Sequence, residues 1–196
     1  MKKYFVSLLS LFAVQAFADD IHLGVPAYNG SGCPMGSVAV SLSPDYKALS
    51  MLFGSYQAQA GRSLGKTSDY QNCNIAIPVH VPQGFSVSLI SVDYRGFNSI
   101  PAGAVSTLRS SYFFAGSTGP SYAKSFVGPV NNDYLVTNNL IAMANVWSAC
   151  GVDVILRANT SLFAKSNSRM EDIISTVDSV DIKSGILYRL AWRTCR

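Results

Sequence analysis

Apolar and polar residues alternate along much of this chain, most clearly between Tyr70 and Phe97. Ile75, Ile77, Val79 and Val81 fall on one side of an extended backbone, with Asn74, Ala76, Pro78 and His80 on the other. That spacing predicts a strand with one buried face. Pro82-Gln83-Gly84 is a turn signal, after which Phe85, Val87 and Leu89 resume the alternation. Past Leu89 the apolar parity flips to Ile90, Val92 and Tyr94. A slip of this kind marks a bulge, or a strand that leaves one sheet for another. The stretch therefore predicts a hairpin or a sheet-crossing pair at the centre of a β-sandwich.

Similar patterns flank it. Val38, Val40 and Leu42 predict a strand; Ser43-Pro44-Asp45-Tyr46 is a turn; Leu49, Met51 and Phe53 form the returning strand. Gly54 to Ser68 reads as a loop with a short continuing strand. Between Ala104 and Ala115, Leu108, Tyr112 and Phe114 share one face of a long strand, opposite Val105, Arg109 and Phe113. Tyr122 to Val130 is a further strand, Asn131-Asn132-Asp133 a turn, and Asp133 to Asn139 an edge strand. Leu140 to Trp147 fits either a helical turn or a strand. Gly151 to Ser161 alternates again, Ser166 to Asp172 is polar turn material, and Ile173 to Ile182 with Gly185 to Thr194 close the chain as two strands. Short strands, Gly/Pro turns and no long amphipathic helix predict an all-β, disulfide-stapled sandwich of mostly antiparallel strands.

The first residues belong to another pattern. Lys2 and Lys3 precede an apolar run from Tyr4 to Val14, and Ala16-Phe17-Ala18 fits a signal-peptidase site. The expected organisation is a signal peptide over 1–18 and a single domain over 19–196. The apolar run is too short for a membrane span and meets Asp19-Asp20, so no transmembrane anchor is expected. The product should be secreted or periplasmic. Without the leader's two lysines, 13 Lys and Arg face 11 Asp and Glu, with no basic cluster to recognise nucleic acid.

Export changes the meaning of Cys33, Cys73, Cys150 and Cys195, an even set that favours two disulfides. Three pairings are possible. Cys33–Cys73 with Cys150–Cys195 is preferred because each joins the opening and close of one half of the chain. A zinc site would lack CxxC spacing and nearby histidines.

Catalytic chemistry has little to work with. His22 and His80 are the two histidines, GxSxG is absent, and neither histidine sits in a nucleophile motif. His80 reads as a surface or rim residue. His22 would be the third residue of a copper-binding amino terminus only if cleavage fell after Asp19. Carboxylates are scattered, and no DxDxDG loop suggests calcium. Asp93-Tyr94-Arg95-Gly96 is the best local feature. Asp93 and Arg95 share one face, with Tyr94 opposite, so the trio is either a ligand contact or a clamp in which Arg95 pairs with Asp93. The tyrosines, including Tyr56, Tyr94, Tyr112, Tyr122 and Tyr134, could furnish an aromatic binding face or cover sheet ends.

Several short motifs occur together: Gly32-Cys33-Pro34-x-Gly36-Ser37, Asn72-Cys73, Pro82-x-Gly84-Phe85, Tyr94-Arg95-Gly96 and Tyr112-x-Phe114-x-Gly116. With the closing segments around Cys150 and Cys195, they resemble a family of secreted proteins, the domain of unknown function 4360. The resemblance spans nearly all of the mature chain and implies export, but no activity, catalytic residue or cofactor. The reading reached is an exported, non-enzymatic β-sandwich that binds a glycan or another envelope ligand. A carboxylate-dependent hydrolase and a structural surface component are the alternatives.

Overall fold

A computed structural model describes residues 20–140, 147–177 and 186–195. The expected leader, residues 141–146 and most of the strand expected after Thr176 lie outside the described residues.

Among the described residues, thirteen strands form two antiparallel sheets. The first sheet holds β1 (His22–Leu23), β2 (Ala27–Asn29), β6 (Ser68–His80), β8 (Val105–Phe114), β9 (Ser121–Val127) and β11 (Val154–Lys165), with β11 between β6 and β8. The second holds β3 (Val38–Leu42), β4 (Ala48–Phe53), β5 (Gln57–Ala60), β7 (Phe85–Ile100), β10 (Val130–Asn139), β12 (Ile173–Thr176) and β13 (Ile186–Thr194). Along β7, β13 pairs with the first half and β10 with the second.

The Pro82–Gly84 turn does not make a hairpin. It carries the chain from β6 in one sheet to β7 in the other. Ile75, Ile77 and Val79 of β6 then face Val87 and Leu89 of β7 across the core, all buried. The parity flip is a bulge: β13 pairs Leu190 with Leu89 and Arg189 with Ser91, skipping Ile90. The extra residue lets Val92, Tyr94 and Ile100 turn inward after it.

One stretch departs from expectation, and another takes a more definite form. Asn131 to Asp133 belong to β10, paired with Ser99 to Phe97, and the chain turns earlier, at Gly128-Pro129. Polar residues at an exposed sheet edge hide a strand, because their faces need no apolar alternation. Gly54 to Ser68 contains β5, whose Ala58 and Ala60 are too small to announce a buried face yet are fully buried.

Cys33 is bonded to Cys73 and Cys150 to Cys195, with Cα separations of 5.4 and 6.1 Å. Their sequence separations of 40 and 45 residues give about 4 kcal/mol each in the chain-entropy picture. The first bond sits beside Gly32, where a Cβ would lie 2.3 Å from the Tyr56 ring. Tyr56 is buried, and its hydroxyl meets Thr160 Oγ1 at 2.8 Å, so the early loop, β4–β5 and β11 close on one point.

Candidate functional site

The site begins with a turn. Pro44 fixes the second residue of the Ser43–Tyr46 turn, and the Tyr46 amide closes it on the Ser43 carbonyl at 2.8 Å. Asp45 Oδ1 accepts from the Ser43 hydroxyl and from the Lys47 amide, while Ala48 N donates to Ser43 Oγ at 2.9 Å. These bonds leave Tyr46 with φ of 55°, the left-handed region that hairpin loops usually give to glycine, asparagine or aspartate. The tyrosine is half exposed, at 51%. Its carbonyl accepts from Leu23 N at 2.9 Å, tying this turn of the second sheet to β1 of the first.

An open cleft of about 540 Å³ lies at that junction, walled by Asp20 to Val25 on one side and by Leu42 and Pro44 to Tyr46 on the other. Lys47 forms an ion pair with Asp20 at 3.0 Å and lies 4.6 Å from the ring centroid of Trp192, itself 47% exposed. Next to this wall, His22 and His80 are direct register partners across β1 and β6, with ring centroids 4.8 Å apart. His80 Nδ1 donates to Asp153 Oδ1 at 2.8 Å, and Asp153 also takes the Val81 amide at 3.0 Å.

Among the described residues, the carboxylates of Asp20, Asp45 and Asp153 are held below their ordinary range. Lys47 does this chiefly for Asp20, the Ser43 hydroxyl for Asp45, and the Val81 amide followed by His80 for Asp153. A carboxyl used as a general acid needs the opposite shift. This end of the sandwich can present aromatic faces, fixed acceptors and imidazoles.

The Asp93–Tyr94–Arg95 trio is dispersed. Tyr94 is fully buried and its hydroxyl bonds to that of Tyr112 across the sandwich. Asp93 lies on the outer face and accepts from Thr137 Oγ1 at 2.7 Å. Arg95 is exposed, and among the described residues no ion pair joins it to Asp93. Gly96 follows because β12 comes close: a Cβ there would meet the Thr176 carbonyl oxygen at 2.1 Å.

The tyrosines named from sequence are mostly interior. Tyr56 and Tyr112 are buried deeply enough to push their hydroxyls up, Tyr112 to about 12. Tyr122 and Tyr134 are half buried where β9 and β10 meet, with Phe126 packed 4.7 Å from Tyr134. A groove of about 340 Å³ remains there, between Ser110, Tyr122 and Lys124 on one side and Val136 and Asn138 on the other. Asn138 Nδ2 donates to Ser110 Oγ and Tyr112 Oη at 2.8 and 3.0 Å. From its sequence Tyr46 reads as turn material. Its signal was an aromatic at the end of a Ser-Pro-Asp turn, where a small or polar residue serves better.

Fold and cleft together define an all-β, disulfide-stapled sandwich with an open cleft at one junction of its sheets. The chain belongs to the family described as domain of unknown function DUF4360, whose model matches residues 19–195. An uncharacterized secreted protein of Arthroderma benhamiae is 32% identical over 178 residues, covering 90% of this chain and 73% of its own. Among solved structures, TmCBM61 in complex with β-1,4-galactotriose overlaps 86% of this chain and 88% of that one, at 11% identity and a TM-score of 0.32. That overlap is too low to carry fold or ligand across. Among the described residues, no helix is long and apolar enough to cross a membrane. Of the motif residues that carry the family resemblance, Cys33, Cys73, Tyr94 and Tyr112 lie in the interior and Gly96 packs against β12, while Pro34, Gly36, Gly84, Arg95 and Gly116 are exposed.

Proposed function

We propose that this protein is an exported binding module that holds a glycan against Tyr46 in the cleft at the β1 end of the sandwich. The observation that carries the reading is an exposed aromatic kept in a left-handed backbone by a fully hydrogen-bonded turn. A bulky residue at such φ costs about 1–2 kcal/mol, and strain of this sort is found where a side chain must be presented in one direction. The C–H faces of a sugar ring are apolar and pack on an aromatic face, while its hydroxyls need acceptors held in place. Within the cleft Tyr46 supplies the first, and Asp20 and Asp45 the second.

The hydrolase alternative needs a carboxyl kept protonated near neutral pH. The cleft carboxylates are shifted the other way, which favours binding over hydrolysis. Secretion of the chain itself, with a cut after Ala18, belongs to the same reading; the secreted relative and the leader pattern support it.

Titrating the mature protein with a panel of neutral and acidic oligosaccharides, followed by tryptophan fluorescence and calorimetry, tests the reading. At least one glycan should bind, and Tyr46→Ala should weaken it tenfold or more with the fold intact. Binding unchanged in that variant would place the ligand elsewhere, and no binding across the panel would remove the glycan from the proposal.

A further inference from the structure

The outer face of the first sheet carries charge of one sign. Registers across β2, β6, β11, β8 and β9 align Asn29, Asn74, Asn159, Ser111 and Ser121 in a single row. On β6, β11 and β8 the residues to either side of that row are buried, so the row itself points outward. Asparagine is depleted in strands, and three of them side by side across β2, β6 and β11 do nothing for the pairing. One row along, Arg109 stands beside Ser161 and Asn72; one row the other way, Arg157 stands beside Phe113. Beyond Ser161, Phe163 is paired with Tyr70, which is 57% exposed, and Lys165 is exposed at the end of β11. None of the outward positions of these five strands holds Asp or Glu. Asp69 of β6 is in register with the buried Ala164 and accepts the Gln59 amide at 3.0 Å. Asp153, just before β11, is held by His80 and the Val81 amide. The outer face of the second sheet differs, with Asp93 and Asp133 beside Arg95.

We propose that this face binds an acidic polysaccharide laid along β11, its carboxylates on Arg109 and Arg157 and its hydroxyls on the asparagine row. A guanidinium presents a planar fork of donors that matches a carboxylate. An asparagine side chain offers donor and acceptor together, as a sugar hydroxyl requires. Tyr70 and Phe163 at one end, and Phe113 towards the other, give the C–H faces of sugar rings a surface to pack on. From Phe163 to Arg157 is six residues of strand, about 20 Å. An open sheet face of that length suits an extended polymer, whereas small molecules are held in concave sites. The cleft at Tyr46 is built from other residues at the junction of the two sheets, so the two readings stand or fall separately.

The experiment titrates polygalacturonate and alginate, both uronic-acid polymers, into the mature protein, with dextran as the neutral polymer and single-stranded DNA as the other polyanion. At least one uronate polymer should bind saturably at low salt, and more weakly as salt rises. Arg109→Gln and Arg157→Gln should each weaken it about tenfold, the loss of one charge-assisted contact. Asn159→Asp, which sets a carboxylate in the middle of the row at nearly unchanged volume, should weaken it at least as much. Tyr46→Ala should leave it unchanged. Denaturation midpoints of the variants report whether they fold, and the exposed Arg109 is the safest of the three. DNA binding as tightly as the uronate polymers would overturn the proposal in favour of a general polyanion surface. Dextran binding as tightly would show that the arginines take no part. Loss of binding in Tyr46→Ala alone would move the polymer to the cleft, and no saturable binding to either uronate polymer would also overturn the proposal.

Discussion

The sandwich has an opening at each of two junctions between its sheets, and they treat their polar groups in opposite ways. Where β9 meets β10, Tyr94, Tyr112, Asn138 and Ser110 bond to one another, and Phe126 packs on Tyr134. Where β1 meets the β3–β4 turn, Tyr46, Asp45 and Asp20 sit at the surface of a wider cleft, and their bonds hold them in position facing solvent. Both regions contain tyrosines and hydrogen-bonding side chains, so composition does not distinguish them. Direction does. A network whose members satisfy each other inside the core contributes to stability, whereas one that fixes exposed groups presents them to a partner.

The largest test of that contrast is Tyr112→Ala. It removes a buried ring and leaves the Tyr94 hydroxyl and the Asn138 amide short of a partner. About 3–5 kcal/mol of stability should be lost, read as a lower denaturation midpoint, with cleft binding unaffected wherever the variant is still folded. A loss below about 1 kcal/mol would mean that this junction relaxes readily and is not the structural one.

Tyr46→Gly probes the opposite junction and should give the opposite result. Glycine adopts φ of 55° without the clash a tyrosine meets. The relief of strain is partly offset by the greater freedom of glycine in the unfolded chain, so stability should rise by up to about 1 kcal/mol. Glycan binding should fall as far as it does in Tyr46→Ala. A marked loss of stability would show that the ring supports the fold, and the two junctions would then be alike.

How much of this was legible in the sequence depends on distance along the chain. The β6 face and the two halves of β7 were readable from their alternation, and the parity change at Ile90 marked an irregularity, left open between a bulge and a change of sheet, that the register resolves as a bulge. The crossing at Pro82–Gly84 could not be separated from a hairpin, since the local turn signal is the same for both. Tyr94 could be assigned to the inward set with Val92, opposite Asp93 and Arg95, but its partner Tyr112 could not be named, because it lies in the other sheet. The His22–His80 pair was hidden for a further reason: β1 is two residues long and carries no periodicity of its own. What places it is the Leu23 amide on the Tyr46 carbonyl and the Gly24 amide on the Pro78 carbonyl, at 2.9 and 2.8 Å.

The smallest expected effect concerns Arg95, where sequence and structure lead to different numbers. A clamp in which its guanidinium satisfied Asp93 would make Arg95→Ala cost about 1–3 kcal/mol, the penalty for leaving buried acceptors unpaired. In the structure the Asp93 carboxylate accepts from Thr137, and Arg95 projects from the outer face opposite Leu135 of β10. An exposed side chain with no such burden should shift stability by less than about 0.5 kcal/mol when truncated. Arg95 is also on the outer face of the second sheet, away from the residues that wall the cleft, so glycan binding should be unaffected too. Paired denaturation curves for wild type and Arg95→Ala, run at low and high salt, check this. A midpoint shift worth more than about 1 kcal/mol that shrinks with salt would restore an ionic role for Arg95, and with it a structural task for the outer face that the comparison of the two junctions does not contain.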